Sequence, residues 1–141
     1  MARAGASVNV TATPERVWQL IGGFGSLPDW LPFIRKSELS EGGRVRHLAS
    51  ANGETMIERL EKFDNTARNY SYSIIQAPFR VKDYLSTLRV QSANGGKSST
   101  VEWTGQFTPA GATDPEVSNL FQGIYEDGLK ALAAQISSER K

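Results

Sequence analysis

The sequence predicts an α+β fold: a seven-stranded, curved antiparallel sheet wrapped around one long C-terminal helix, with two short helices after the first strand. Three observations point there. Residues 34–108 break into alternating polar and apolar stretches, separated by turn residues about every ten to fifteen positions, as in a meander of hairpins. Behind Asp114-Pro115, apolar residues recur at spacings of three and four as far as Ile136, the pattern of one helix of about six turns. A helix with so broad an apolar face, following a run of antiparallel strands, is buried by a sheet that curves around it.

Each element has its own local signal. Ser7-Val8-Asn9-Val10-Thr11 alternates polar and apolar and reads as a strand over 6–11. Thr13-Pro14-Glu15-Arg16 opens a helix, with Thr13 as N-cap and Pro14 at the first helical position. Val17, Trp18, Leu20 and Ile21 form its buried side, and Gly22-Gly23 ends it. Ser26 caps a second short helix that Pro32 terminates. Strands follow, joined at Glu41-Gly42-Gly43, Asn52-Gly53, Asp64-Asn65, Gln76-Ala77-Pro78 and Asn94-Gly95-Gly96-Lys97. Asn52-Gly53 is the clearest two-residue hairpin signal. Asp114 caps the last helix, with Pro115 at its first position. Val117, Leu120, Phe121, Ile124, Tyr125, Leu129, Leu132 and Ile136 form its apolar face.

The composition removes several classes of function. A length of 141 residues suits one domain, expected over 1–141. The net charge of +1 is mixed along the chain, so there is no electrostatic footprint for nucleic acid and no polybasic membrane patch. With no cysteine and one histidine, thiolate metal sites, thiol catalysis and histidine-centred triads are not expected, and no metal or other cofactor is needed. No apolar run approaches a membrane span or a signal peptide, so stable membrane insertion is not expected and the chain reads as cytoplasmic. The Gly22-Gly23-Phe24-Gly25 run follows a helix rather than a strand and lacks a lysine, so it is a helix stop or a hinge, not a phosphate loop.

The strands carry one anomaly. Alternation puts Met56, Glu58 and Leu60 on one face, Tyr70, Tyr72 and Ile74 on another, and Tyr84, Ser86 and Leu88 on a third. Val101, Trp103, Gly105 and Phe107 form a fourth row. If these rows face the helix, a carboxylate and several tyrosines go inward with them. A buried charge needs a partner or water, so the interior is expected to hold a cavity rather than a fully packed core. Phe121 and Tyr125 on the last helix face the sheet, and Gly128 allows close approach by a strand or a ligand. His47 alternates outward.

The order of these elements and the residues on them resemble the START-like, Bet-v-1-type helix-grip superfamily (SRPBCC). Within it the sequence is similar to the polyketide cyclase/dehydrase group, including lachrymatory-factor synthases, and more distantly to plant abscisic-acid receptors. The resemblance rests on Glu15-Arg16-Val17-Trp18, Phe24 to Pro32, Gly43-Arg44-Val45-Arg46 and Glu58-Arg59-Leu60-Glu61 with Phe63-Asp64-Asn65. Tyr70-Ser71-Tyr72-Ser73, Val81-Lys82-Asp83-Tyr84 and Trp103 complete it. It implies a pocket arginine at Arg46, a pocket glutamate at Glu58, a pocket tyrosine at Tyr84 and aromatic walls at Tyr72 and Trp103. It also implies that proton-transfer chemistry of the synthase kind is open to such a trio. Two departures argue against hormone-receptor gating: the tight Ser50-Ala51-Asn52-Gly53 turn stands where the receptors carry a longer gate loop, and Phe79 replaces their latch histidine.

The expected ligand is a small apolar or aromatic molecule with a carboxylate or carbonyl end near Arg46, Glu58 and Tyr84, and with Tyr72, Trp103, Leu60, Leu88, Phe121 and Tyr125 around its body. Two chemistries fit the polar trio. In one, Glu58 is a general acid/base of a cofactor-free isomerase, dehydratase or cyclase, and Arg46 with Tyr84 holds the reacting oxygen. In the other, Arg46 and Glu58 neutralise each other as a static pair and Tyr84 only orients a ligand. A protein-interaction module with a vestigial cavity is the remaining class.

Overall fold

The structure, a computed structural model, describes residues 2–139; Met1, Arg140 and Lys141 lie outside the described residues. The elements run β1 (Ala2–Val10), α1 (Pro14–Ile21), α2 (Leu27–Trp30), β2 (Ile34–Ser40), β3 (Val45–Ser50), β4 (Thr55–Asp64), β5 (Asn69–Gln76), β6 (Val81–Ala93), β7 (Ser98–Pro109) and α3 (Asp114–Glu139). The seven strands form one antiparallel sheet in the order β1-β7-β6-β5-β4-β3-β2. Strands β2 to β7 are a meander of neighbours, and only β1 is displaced, to the far side of β7. The two short helices carry the chain from one edge of the sheet to the other. Helix α3 returns across the concave face and packs on β1 and β7. It also guards an edge: Gln122 accepts from the Gly5 amide at 2.9 Å and donates to the Gly5 carbonyl at 2.7 Å, which satisfies backbone groups that edge strand β1 leaves unpaired.

The curvature comes from bulges, each an extra residue that bends its strand. On β4, Leu60 pairs with Tyr72 and Lys62 with Ser71, which makes Glu61 the extra residue. Across the same pair, Ile57 faces Gln76 while Glu58 faces Ile74, which leaves Ile75 unpaired and exposed. On β6, Lys82 pairs with Thr108 and Leu85 with Gln106, and Asp83 sits in the bulge with φ +53°. That kink breaks the alternation, so Lys82 points outward while Tyr84, Ser86, Leu88 and Val90 stay inward. Apart from Leu60, which is only half-buried beside the Glu61 bulge, the large inward residues read from the sequence keep their side through these irregularities.

The ends of elements differ in detail from the sequence reading. Strand β1 starts at Ala2, because its small residues pair with Phe107 to Gly105 without a visible hydrophobic alternation. Thr13 caps α1 as expected, its Oγ1 accepting from the Arg16 amide at 3.2 Å, but only Val17 and Ile21 are sealed, with Trp18 and Leu20 half-buried. The Ser26 hydroxyl does not cap α2; it donates back to the Gly23 carbonyl at 2.7 Å. The Asn52-Gly53 turn is a four-residue connection over 51–54 rather than a two-residue hairpin. It is closed by the Ser50 amide on the Glu54 carbonyl at 2.8 Å. At α3 the cap is one residue earlier than expected. The Glu116 amide donates to Thr113 Oγ1 at 3.3 Å, and that hydroxyl donates to Glu116 Oε1 at 3.1 Å. Thr113 is thus the N-cap, with Glu116 fixing its hydroxyl, and Asp114 lies inside the first turn, where it accepts from Ser118.

The core lies between the sheet and α3, with Val17, Ile21, Phe107, Phe121, Tyr125, Leu129 and Leu132 almost fully buried. Leu120, placed on the apolar face by its spacing, is instead 44% exposed, on the side of α3 that the sheet does not reach. Among the described residues, no helix is long and apolar enough to cross a membrane.

Candidate functional site

A cavity of about 50 Å³ lies under α3 on the inner face of the sheet. Arg46 and Leu48 of β3, Met56 and Glu58 of β4, and Tyr72 and Ile74 of β5 form its floor. Tyr84 of β6 and Trp103 of β7 continue the wall, and Phe121, Ile124 and Tyr125 of α3 form the roof. Leu27, Leu31, Phe33, Ile34 and Phe79 close the ends. Against the outer side of this closure lies an open groove of about 570 Å³ between residues 31–33 and α3. Leu31, Phe33 and Ile124 line both spaces, so they are the partition between them.

At one end of the cavity, Arg46 and Glu58 form a buried ion pair with an uneven geometry. The Arg46 Nε donates to Glu58 Oε1 at 2.8 Å, and Nη2 lies 2.7 Å from the same oxygen. The third nitrogen, Nη1, donates to the Phe24 carbonyl at 3.1 Å. The rings of Phe24 and Tyr72 lie over the guanidinium at 4.2 and 4.7 Å. This is the role of the glycine-rich turn after α1: it lays Phe24, ring and carbonyl, against Arg46. Glu58 Oε2 receives no hydrogen bond from any described residue, although Glu58 is only 6% exposed. Burial pushes the Glu58 carboxyl above the ordinary carboxylate range, with the Arg46 charge pulling the other way. Burial is the largest single influence and works to lower the Arg46 pKa, but the Glu58 carboxylate together with Tyr70 and Tyr72 more than offsets it, so Arg46 stays a cation.

Next to the pair stands a cluster of tyrosine hydroxyls. The Tyr84 and Tyr125 oxygens are 2.5 Å apart, and those of Tyr72 and Tyr84 are 3.5 Å apart, at the limit of a hydrogen bond. The Trp103 indole N–H donates to Tyr72 at 3.2 Å and to Ser86 at 3.1 Å. Ser86 in turn donates to the Thr104 carbonyl. Burial raises the pKa of all three phenols, that of Tyr125 to about 12, so each keeps its proton at neutral pH. Two glycines make room for this arrangement. A Cβ on Gly105 would lie 2.2 Å from the Tyr125 hydroxyl, and one on Gly128 would lie 2.7 Å from the Trp103 ring.

Of the residues singled out from the sequence, Arg46, Glu58, Tyr84, Tyr72, Trp103, Phe121 and Tyr125 surround this cavity. Leu60 and Leu88 do not. Leu88 is sealed in the core, and Leu60 is half-buried beside the Glu61 bulge, which turns the strand away. His47 is on the outer face, in a hydrogen bond with Ser40 at 3.0 Å. Trp30 is core, and Phe33 stands at the mouth, 40% exposed. The sequence reading missed Phe24 as the partner of Arg46, and the partition formed by Leu31 and Ile124. A glycine within an apolar strand row is a signal of close approach, and it was available at Gly105.

Solved structures of other proteins share this fold. XoxI from Bacillus cereus is 54% identical, with a TM-score of 0.97 over 100% of this chain and 99% of its own. A Bacillus thuringiensis protein is 55% identical, with a TM-score of 0.94 over 96% and 98% of the two chains. A START superfamily protein from Mycobacterium smegmatis shares the fold, with 16% identity and a TM-score of 0.79 over 98% of this chain and 99% of its own. The sheet gripping a C-terminal helix is thus the START-like fold. With residues 1–137 matched by its model, the chain belongs to the family described as polyketide cyclase/dehydrase and lipid transport.

Proposed function

We propose that the protein binds a small hydrophobic molecule between the sheet and α3, with the ligand's polar group at the Arg46, Glu58 and Tyr84 end. The observation that carries this reading is Glu58 Oε2: a carboxylate oxygen with no hydrogen bond from the protein, on a residue lining a mainly apolar chamber. That oxygen is not sealed by protein, so a ligand or water can reach it and complete the bonding of a charge held largely out of bulk solvent. Family membership supports the same general reading.

The chamber of about 50 Å³ is far below the roughly 300–1,000 Å³ of a typical ligand site. The reading therefore includes an opening step. When the side chains of Leu31, Phe33 and Ile124 swing aside, the outer groove and the inner chamber become one space. Binding of the neutral fluorescent probe N-phenyl-1-naphthylamine tests this. Wild type should enhance its fluorescence, and Ile124→Trp, which plugs the partition, should weaken binding at least ten-fold while leaving the thermal midpoint within a few degrees. A wild type that ignores the probe, or an Ile124→Trp variant that binds it equally well, defeats the reading. Those outcomes favour an interaction module whose cavity is vestigial.

A second reading is favoured by the same free oxygen and by the raised carboxyl pKa. Glu58 would move a proton in a cofactor-free cyclisation, dehydration or isomerisation, with the tyrosine hydroxyls holding the reacting oxygen. Glu58→Gln then abolishes turnover of a substrate whose affinity it leaves within a few-fold. A plain carrier shows no turnover to abolish.

A further inference from the structure

The polar end of the cavity has a definite hydrogen-bonding deficit, and the deficit describes a ligand. Arg46 is not free to hold an anion. Its three nitrogens are engaged by Glu58, the Phe24 carbonyl and the Tyr70 hydroxyl, and the Phe24 and Tyr72 rings lie over it. With Glu58 beside it, the pair sums to zero charge. A carboxylate entering here would be a second buried anion facing Glu58, with no cation of its own.

What the site lacks is a donor to Glu58, and tyrosine hydroxyls stand close by. Glu58 Oε2 is an acceptor with nothing donating to it. The hydroxyls of Tyr72, Tyr84 and Tyr125 carry three protons, but only two contacts join them, one of those at 3.5 Å. The Trp103 indole donates into this cluster, and Ser86 donates to the Thr104 carbonyl while its own oxygen remains an acceptor. Ser86 Oγ, beside both Tyr72 and Tyr125, can take the phenolic proton at the end of that chain, so this proton is shared between Ser86 and the cavity. All three tyrosines and Glu58 line the same cavity.

Resting on the ligand-binding reading above, we propose that this end selects a neutral hydroxyl group, that of a phenol or an alcohol, over a carboxylate or an ether. A hydroxyl donates to Glu58 Oε2 and accepts from a neighbouring tyrosine hydroxyl at a single atom. An ether can only accept, which leaves Glu58 unsatisfied. A carboxylate can only accept, and it also repels Glu58.

Four compounds on one scaffold test this: 4-propylphenol, 4-propylanisole, propylbenzene and 4-propylbenzoate, titrated at pH 7 and followed by the amide shifts of residues around the cavity. The phenol should bind about ten-fold or more tighter than either the ether or the benzoate. In Glu58→Gln, the amide oxygen is taken by Arg46 and its NH₂ faces the cavity, while the Arg46 charge is no longer neutralised. The preference for phenol over ether should collapse, and the benzoate should gain affinity. That gain is an effect that loss of folding does not produce. Benzoate binding the wild type as tightly as the phenol overturns the proposal, and so does a phenol-to-ether ratio unchanged by Glu58→Gln. If propylbenzene binds as tightly as the phenol, the apolar-ligand reading stands and the hydroxyl preference falls. If none of the four moves a cavity resonance, both fall.

Discussion

Replacing Gly105 with alanine tests how tightly the wall of the cavity is fitted to the roof helix. The new Cβ would lie 2.2 Å from the Tyr125 hydroxyl oxygen, 3.2 Å from its Cζ and 3.4 Å from its Cε2. Tyr125 is fully buried, so its phenol cannot retreat without moving α3 or breaking its 2.5 Å contact with Tyr84. Overpacking of this kind costs about 1–3 kcal/mol, and the lost hydrogen bond about 0.5–1.5 kcal/mol. Exchanging glycine for alanine in a strand returns about 0.5–1 kcal/mol of backbone entropy. Gly105→Ala should therefore destabilise by about 1–3 kcal/mol, a shift of several degrees in the thermal midpoint. The decisive measurement is a double-mutant cycle with Tyr125→Phe, read by urea unfolding. Without the hydroxyl, the nearest ring atom is at 3.2 Å, a distance that a few tenths of an ångström relieve. In the phenylalanine background the alanine should cost nearly nothing, a coupling of about 1–2 kcal/mol. Additivity within about 0.5 kcal/mol would refute the claim that these two residues share one space.

The remaining predictions concern the ion pair and the cap of α3. Arg46→Ala leaves Glu58 as an unpaired buried charge and should cost about 3–5 kcal/mol in urea unfolding; a cost under about 1 kcal/mol would mean that the pair is solvated. The double replacement Arg46→Met with Glu58→Leu removes both charges and should be about as stable as wild type, or more so, in the same assay. Thr113→Ala should cost about 1 kcal/mol, whereas Asp114→Ala should cost only a few tenths. The reverse order in chemical denaturation would return the cap to Asp114.

How much of this was legible in the sequence depends on the range of the interaction. Strand alternation has a strict period of two, so Glu58 and Tyr84 could be turned inward from local pattern alone. The bulge at Asp83 spared that reading because it falls before Tyr84. Leu60 was lost because its bulge comes immediately after it. The Thr113-x-x-Glu116 pairing was present as a motif, but Asp114-Pro115 offers a competing start one residue later. The contact of Phe24 with Arg46 joins residues 22 apart in sequence through a side chain and a carbonyl, and no periodicity encodes such a contact. Cavity volume was beyond reach for a related reason. It is the small difference between the space the sheet encloses and the rings that fill it, and those rings are set by rotamers rather than by pattern.

The pair of Arg46 and Glu58 makes most sense when stability and binding are kept apart. Burying two charges is expensive, and their mutual attraction repays it only when the geometry and the remaining hydrogen bonds are complete. Here the arginine side is nearly complete, with its nitrogens on Glu58 and the Phe24 carbonyl and aromatic rings over its plane. The glutamate side is not, since both arginine contacts fall on Oε1. A pair optimised for the fold alone would set the two carboxylate oxygens against two guanidinium nitrogens. Placing the incomplete half of the pair toward the cavity puts the deficit where an incoming molecule can relieve it. If the proposed ligand completes the pair, the stability forgone relative to an apolar replacement returns as binding free energy.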